Sequence, residues 1–153
     1  MIYSFQNPSE AVLKAYLESA KTIAVVGLSD RKDTAAYGVA KFMQAMDYRI
    51  IPVNPKLAGQ LILGEKVYAS IKAIPFEVDI VDVFRRSEFL PEVARDFLAG
   101  QAKVFWAQLG LENQEAQTIL RSAGKEAIVM NRCLKIDYLQ LVAKPECITN
   151  HLN

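Results

Sequence analysis

A doubly wound α/β fold, with a parallel sheet between two helical layers, is predicted by three features of the sequence. Short apolar runs such as Thr22-Ile23-Ala24-Val25-Val26-Gly27 stop abruptly at a polar residue or glycine, as strands buried on both faces do. Segments of roughly ten residues with apolar positions at helical spacing separate them. The two kinds alternate along the chain, which means βαβ units and right-handed crossovers. The expected sheet has six strands in the order 3-2-1-4-5-6, in a three-layer α/β/α arrangement.

The chain opens with Asn7-Pro8-Ser9-Glu10, a helix start in which Asn7 can cap, Pro8 suits the first turn and Glu10 completes a capping box. Val12, Leu13, Tyr16, Leu17 and Ala20 then share one helical face. Residues 22–27 form the first strand. Residues 37–46 are helical, with Val39, Phe42, Met43 and Met46 on one face, and Arg49–Val53 is the second strand, stopping at Asn54-Pro55. A short third strand covers 66–68, followed by a brief helical segment at 70–73. Residues 79–84 make the fourth strand, and 88–98 a helix burying Phe89, Leu90, Val93, Ala94 and Phe97. A strand at 103–108, a helix at 113–123 with Ala116, Ile119, Leu120 and Ala123 inward, a last strand at 127–130 and a closing helix at 134–142 complete the order. The tail from Lys144 onward is expected to be loosely attached.

Composition narrows the class. With 153 residues and 52% hydrophobic content, the chain is expected to be one domain over 1–153 with its own core. A net charge of +1 gives no bulk attraction to nucleic acid or acidic membranes. No apolar run reaches the roughly 20 residues of a membrane span, and MIYSFQNPSE does not read as a signal peptide. Cys133 and Cys147 have no CxxC spacing, which argues against zinc and for a reduced, cytoplasmic setting. The one histidine, His151, is read as a chain-end residue rather than a base.

Ligands of such folds bind outside the carboxyl ends of the strands, where strand order reverses. Basic residues come directly after four of the strands: Arg31 and Lys32 after the first, Lys56 after the second, Arg85 and Arg86 after the fourth, Arg132 after the last. A near-neutral chain that gathers cations on one edge offers a pocket for a polyanion, most simply a phosphorylated small molecule. NAD is disfavoured. Gly27 stands alone where GxGxxG would be needed, and the second strand ends without an acid for the ribose. The loop from Ser29 to Tyr37 still carries backbone amides, Ser29 and Arg31 to the amino end of a helix, where anions are favoured.

The blocks Ile23–Arg31 (IAVVGLSDR), Tyr37–Lys41 (YGVAK) and Arg49–Pro55 (RIIPVNP) resemble the small stand-alone CoA-binding proteins related to the CoA-binding domain of succinyl-CoA synthetase. The resemblance continues through ILGEKVY, VDIVDVFRRSE, KVFWAQLG and VMNRC, covering roughly residues 22–141 in order. It implies a Rossmann-like fold and CoA as the cofactor. It also implies that Gly27, Ser29 and Arg31 meet the pyrophosphate, with Asp30, Tyr37 and Gly38 in the same turn and helix. Asn54, Pro55 and Lys56 fall beside the adenosine, Lys56 at the ribose phosphate. Phe84, Arg85 and Arg86 border the nucleotide, Gln108 and Gly110 lie near the pantetheine path, and Arg132 joins from the last strand. The family usually has Asp at the position of Asn131 and Pro at that of Leu134.

Three further residues have two readings each. Trp106 either packs the sheet or lines the pocket, with packing preferred. Asp82, inside a buried strand, needs a hydrogen-bond partner, a backbone group or an arginine, more than it suits catalysis. Cys133 is either an inert small hydrophobe or a partner for the CoA thiol. No nucleophile–base pair can be assembled, so no catalytic residue is assigned. The expected function is therefore binding of CoA or an acyl-CoA by a carrier, sensor or regulatory module, with a homo-oligomer or protein partner left open. The alternative is an enzyme or synthetase subunit acting on a CoA thioester or nucleotide.

Overall fold

The structure is a computed structural model that describes residues 2–143. His151, Cys147 and the tail from Lys144 lie outside the described residues. Helix α1 (Glu10–Ser19) leads into β1 (Thr22–Val26), α2 (Ala35–Ala45) and β2 (Arg49–Val53). A two-residue pair, β3 (Leu61–Ile62) and β4 (Glu65–Lys66), precedes β5 (Val78–Val83). Then come α3 (Leu90–Ala99), β6 (Ala102–Ala107), α4 (Gln114–Ser122), β7 (Ile128–Val129) and α5 (Leu134–Leu141).

The doubly wound architecture is present, with a correction to the strand order. The parallel sheet has five strands in the order β2-β1-β5-β6-β7, not six. The expected third strand is instead divided. Residues 61–66 fold back as an antiparallel pair, and Tyr68 makes a single parallel bridge to Val53 at the edge of β2. The fold-back is set by Leu63 and Gly64, both at positive φ, the backbone geometry of a tight hairpin turn.

Two apolar layers flank the sheet. Side chains alternate across it, so Ala24, Val26, Val81, Val83, Phe105 and Ala107 pack on α3 and α4 through Val93, Phe97, Ala116 and Leu120. Ile23, Val25, Ile80, Val104 and Trp106 pack on α1, α2 and α5 through Leu13, Leu17, Val39, Met43 and Leu134. Trp106 is fully buried, and its indole N–H donates to the Arg132 carbonyl at 2.9 Å, so it packs the sheet. Val12, expected on the buried face of α1, is exposed.

Three local readings of the sequence are replaced. Ser9, not Asn7, caps α1, its Oγ accepting from the Val12 N–H. Asn7 instead reaches the far edge of the sheet, donating to the Met130 carbonyl at 2.8 Å and accepting from the Met130 N–H at 3.0 Å. Residues 70–73 form a turn rather than a helix, because the Ile71 and Lys72 N–H groups donate to the Asp96 carboxylate on α3. Helix α2 also begins two residues earlier than the apolar spacing indicates, capped by the Thr34 hydroxyl accepting from the Tyr37 N–H.

The two acids of DIVDVF have opposite surroundings. Asp79 accepts from the Lys21 and Thr22 N–H groups and the Thr22 hydroxyl, tying β5 to β1. Burial pushes its pKa up, but those donors and Lys103 outweigh it and hold the carboxyl below the usual range. Asp82 lies mid-strand in register with Val25 and Trp106 and is fully buried. The expected partner is missing: neither carboxyl oxygen has a hydrogen bond among the described residues. Burial alone raises its pKa well above the ordinary value, so the group is held neutral.

Candidate functional site

Strand order reverses between β1 and β5, and the loops leaving these two strands diverge there. Gly27 makes the turn after β1 at φ +89°, a conformation that favours glycine. A Cβ at this position would lie 2.4 Å from the Phe84 carbonyl oxygen. The neighbouring ladder is closed by Gly27 N–H donating to Val53 O and Phe84 N–H to Val26 O, both at 2.9 Å. Gly27 thus lets the chain leave the sheet beside Phe84 without a clash.

Beyond that turn is a cavity of about 290 Å³, lined by Val26, Gly27, Val53, Asn54, Pro55, Lys56 and Arg85. Asn54 is fixed at three points. Its N–H donates to Tyr68 O, its side-chain amide donates to Leu28 O, and its Oδ1 accepts from the Lys56 N–H. The last bond starts the short 3₁₀ turn Pro55–Leu57 and holds Lys56 at the cavity wall. Arg85 rests its guanidinium 4.6 Å from the Phe89 ring centre. Neither Lys56 nor Arg85 has an ion-pair partner among the described residues.

Arg85 also lines a second cavity of about 440 Å³, with Ala35, Phe84, Arg86, Gln108, Leu109, Leu111 and Cys133. Its walls are predominantly apolar. Gln108 is buried, and its Oε1 accepts from the Leu134 N–H at 3.2 Å. A smaller hollow of about 160 Å³ adjoins through Leu109 and Cys133 and includes Arg132.

The cavities bring together eight of the residues singled out from the sequence: Gly27, Asn54, Pro55, Lys56, Phe84, Arg85, Arg86 and Gln108. Ser29, Asp30, Arg31, Tyr37, Gly38 and Gly110 stand outside these walls. Ser29 accepts from the Arg31 N–H at 3.0 Å, and Arg31 pairs with Asp33 at 3.4 Å on the surface. Arg86 pairs with Glu88 at 3.3 Å. Arg132 is committed to the buried Asp137 through two bonds of 2.7 Å. Gly110 donates its N–H to Asn131 Oδ1 at 2.6 Å, which closes the loop after β6 against the end of the sheet. Gly38 is exposed on α2, and a Cβ there would meet no atom within 4 Å.

Sequence reasoning missed Ala35, Leu109 and Leu111. The signal for the leucines was present, since Leu109-Gly110-Leu111 comes after a strand at the ligand-binding edge. The signal for Ala35 lay in Thr34, whose capping starts α2 two residues sooner and brings that residue to the wall.

No helix among the described residues is long and apolar enough to cross a membrane. Known proteins share the arrangement. A Bacillus subtilis (strain 168) protein named YneT, itself uncharacterized, is 50% identical over 131 residues, which is 86% of this chain and 95% of that one. A Thermus thermophilus structure described as cell-free ID.343 superposes with a TM-score of 0.83 at 34% identity, covering 88% of this chain and 99% of that one. A hypothetical protein from Pyrococcus horikoshii OT3 gives 0.82 at 30% identity, covering 92% and 100%. The family model described as CoA binding domain matches residues 21–138, from the start of β1 into α5, and so spans every element that builds the strand-end cavities. By that match the chain belongs to the CoA-binding-domain family.

Proposed function

We propose that the chain binds coenzyme A at the carboxyl edge of the sheet and holds it without turning it over. The observation that carries this reading is the pair of cations at the switch-point cavity. Lys56 and Arg85 flank the Gly27 turn, and neither is neutralised by a carboxylate among the described residues. A chain of net charge +1 that leaves two cations unpaired in one concavity is suited to a phosphorylated ligand.

The residues present fit the cofactor. Lys56 supplies a mobile point charge, and Arg85 a planar fork already braced on Phe89. Bound CoA would contribute its thiol or thioester; this chain contributes charge, backbone approach and an apolar wall. Holding is favoured over turnover because Asp82, the carboxyl with a strongly raised pKa, is sealed in the sheet away from the cavity walls.

Thermal denaturation with and without CoA tests the proposal. Ligand at a hundred times its Kd stabilises by about 2.7 kcal/mol. For a chain of this size that raises the Tm by about 5–10 °C. Lys56→Ala and Arg85→Ala each remove a charge-assisted bond and weaken CoA binding by about tenfold or more. Absence of any shift at millimolar CoA refutes the reading, as does an undiminished shift in both variants.

A further inference from the structure

The loop that leaves β6 is fastened from both sides. β6 lies between β5 and β7 in the sheet, and the segment after each neighbour sends one residue to hold that loop. On the β5 side is Ser87. Its Oγ accepts from the Glu112 N–H at 3.2 Å, and its carbonyl accepts from the Asn113 side-chain amide at 3.1 Å. On the β7 side is Asn131. Its Oδ1 accepts from the Gly110 N–H at 2.6 Å, and its own N–H donates to the Leu111 carbonyl at 2.9 Å. Asn131 has a φ of +59°, a geometry in which a non-glycine residue stays only when its surroundings hold it there. The core does not require these bonds, because Gly110 and Asn131 are exposed and water could satisfy both groups. What they do join is the cavity wall. Leu109 and Leu111 line the 440 Å³ cavity, Arg85 and Arg86 reach it from the segment that carries Ser87, and Cys133 from the segment that carries Asn131.

Resting on the CoA reading above, we propose that Ser87 and Asn131 are positioning residues for the ligand, setting the spacing of three strand-end segments before it arrives. Neither lines the cavities of about 440 and 290 Å³, so both act through the residues they hold. A wall already fixed at its bound spacing spares the ligand the entropy cost of ordering it. Released at either clamp, the β6 loop drifts from the segment on that side, and the cavity loses its preformed width.

Isothermal titration of the full chain with CoA, paired with thermal melts, tests this. Asn131→Gly tolerates the positive φ but removes the acceptor, and Ser87→Ala removes the hydroxyl. Each is expected to weaken CoA binding by about two- to tenfold, the range of one neutral hydrogen bond. Asn131→Asp keeps an acceptor for Gly110 and is expected to bind within about twofold of the parent at about 150 mM salt, where exposed charge is screened. Asp96→Ala serves as the purely structural comparison. It releases the Ile71 and Lys72 N–H groups, which are no part of the cavity walls, so it lowers the Tm and leaves CoA affinity unchanged. Parent-like affinity in both Asn131→Gly and Ser87→Ala overturns the inference and leaves the CoA reading standing. So does an equal loss in Asp96→Ala, since binding would then merely follow stability. No recovery in Asn131→Asp overturns the role of that acceptor. Failure of the parent to bind CoA overturns the CoA reading itself.

Discussion

Replacing Asp82 by valine should stabilise the protein, and by an amount that grows with pH. The carboxyl is fully buried between Val25 and Trp106 in the sheet register, with no hydrogen bond to either oxygen among the described residues. An unsatisfied buried polar group costs about 1–3 kcal/mol. Burial also raises the native pKa well above the ordinary carboxylate value. Above about pH 4 the unfolded chain releases this proton while the native protein keeps it. Native stability is therefore favoured below the unfolded pKa and falls as pH rises toward the native one. The slope is about 1.4 kcal/mol per pH unit. Between pH 5 and pH 7 the advantage of Asp82→Val over the parent thus widens, for as long as the native protein keeps the proton. Paired thermal melts of parent and variant at the two pH values measure this, since every other titrating group cancels in the difference. A gap that stays constant with pH would refute the neutral, unpartnered carboxyl. A variant less stable than the parent at both values would show that the acid has a structural partner.

Three further outcomes are expected from particular contacts. Gly27→Ala forces a Cβ against the Phe84 carbonyl at positive φ and should lower stability by more than about 1–3 kcal/mol, whereas Gly38→Ala meets nothing and should gain about 1 kcal/mol of helix stability. Opposite Tm shifts in the two melts are expected, and shifts of the same sign would refute the contrast. Arg132→Met leaves Asp137 buried without its partner; because Arg132 is partly exposed, the loss should fall near the lower end of the about 3–5 kcal/mol typical of broken buried pairs, read by urea unfolding. A variant with an unchanged urea midpoint would mean that the pair contributes nothing. Asn7→Ala removes both bonds to Met130 and should cost about 1–3 kcal/mol, with faster amide exchange at the Met130 N–H; unaltered exchange would contradict it.

The central strands were legible because β1, β5 and β6 are covered on both faces, and their sequences are predominantly apolar even with Asp79 and Asp82 in β5. The third strand was not. Val67 and Tyr68 are apolar enough to suggest pairing, but the tight turn at Leu63-Gly64 draws the preceding residues into a hairpin and leaves one bridge to β2. Helix ends were harder than helix faces, since Thr34 and Ser9 act through a single capping bond that apolar spacing does not register. At the candidate site, Gly27, Lys56 and Arg85 could be found from their positions just past the carboxyl ends of β1, β2 and β5. The commitments of the other cations could not. Arg31, Arg86 and Arg132 look equivalent to Arg85 in sequence, yet each pairs with an acid two to five residues further on, Asp33, Glu88 or Asp137. Whether such neighbours meet depends on the loop conformation between them, which composition does not encode.

The bidentate grip of Asn7 on Met130 has a consequence for the molecule as a neighbour of its own copies. β7 is a two-residue edge strand, and an edge strand with free N–H and carbonyl groups is a template on which another chain can add. One asparagine side chain occupies both groups of the next residue, as a complementary strand would, and so ends the ladder there. At the opposite border, Tyr68 meets β2 through its single bridge at Val53. Strand addition is thereby discouraged at the β7 border, where growth of the sheet would first require the Asn7 segment to peel away.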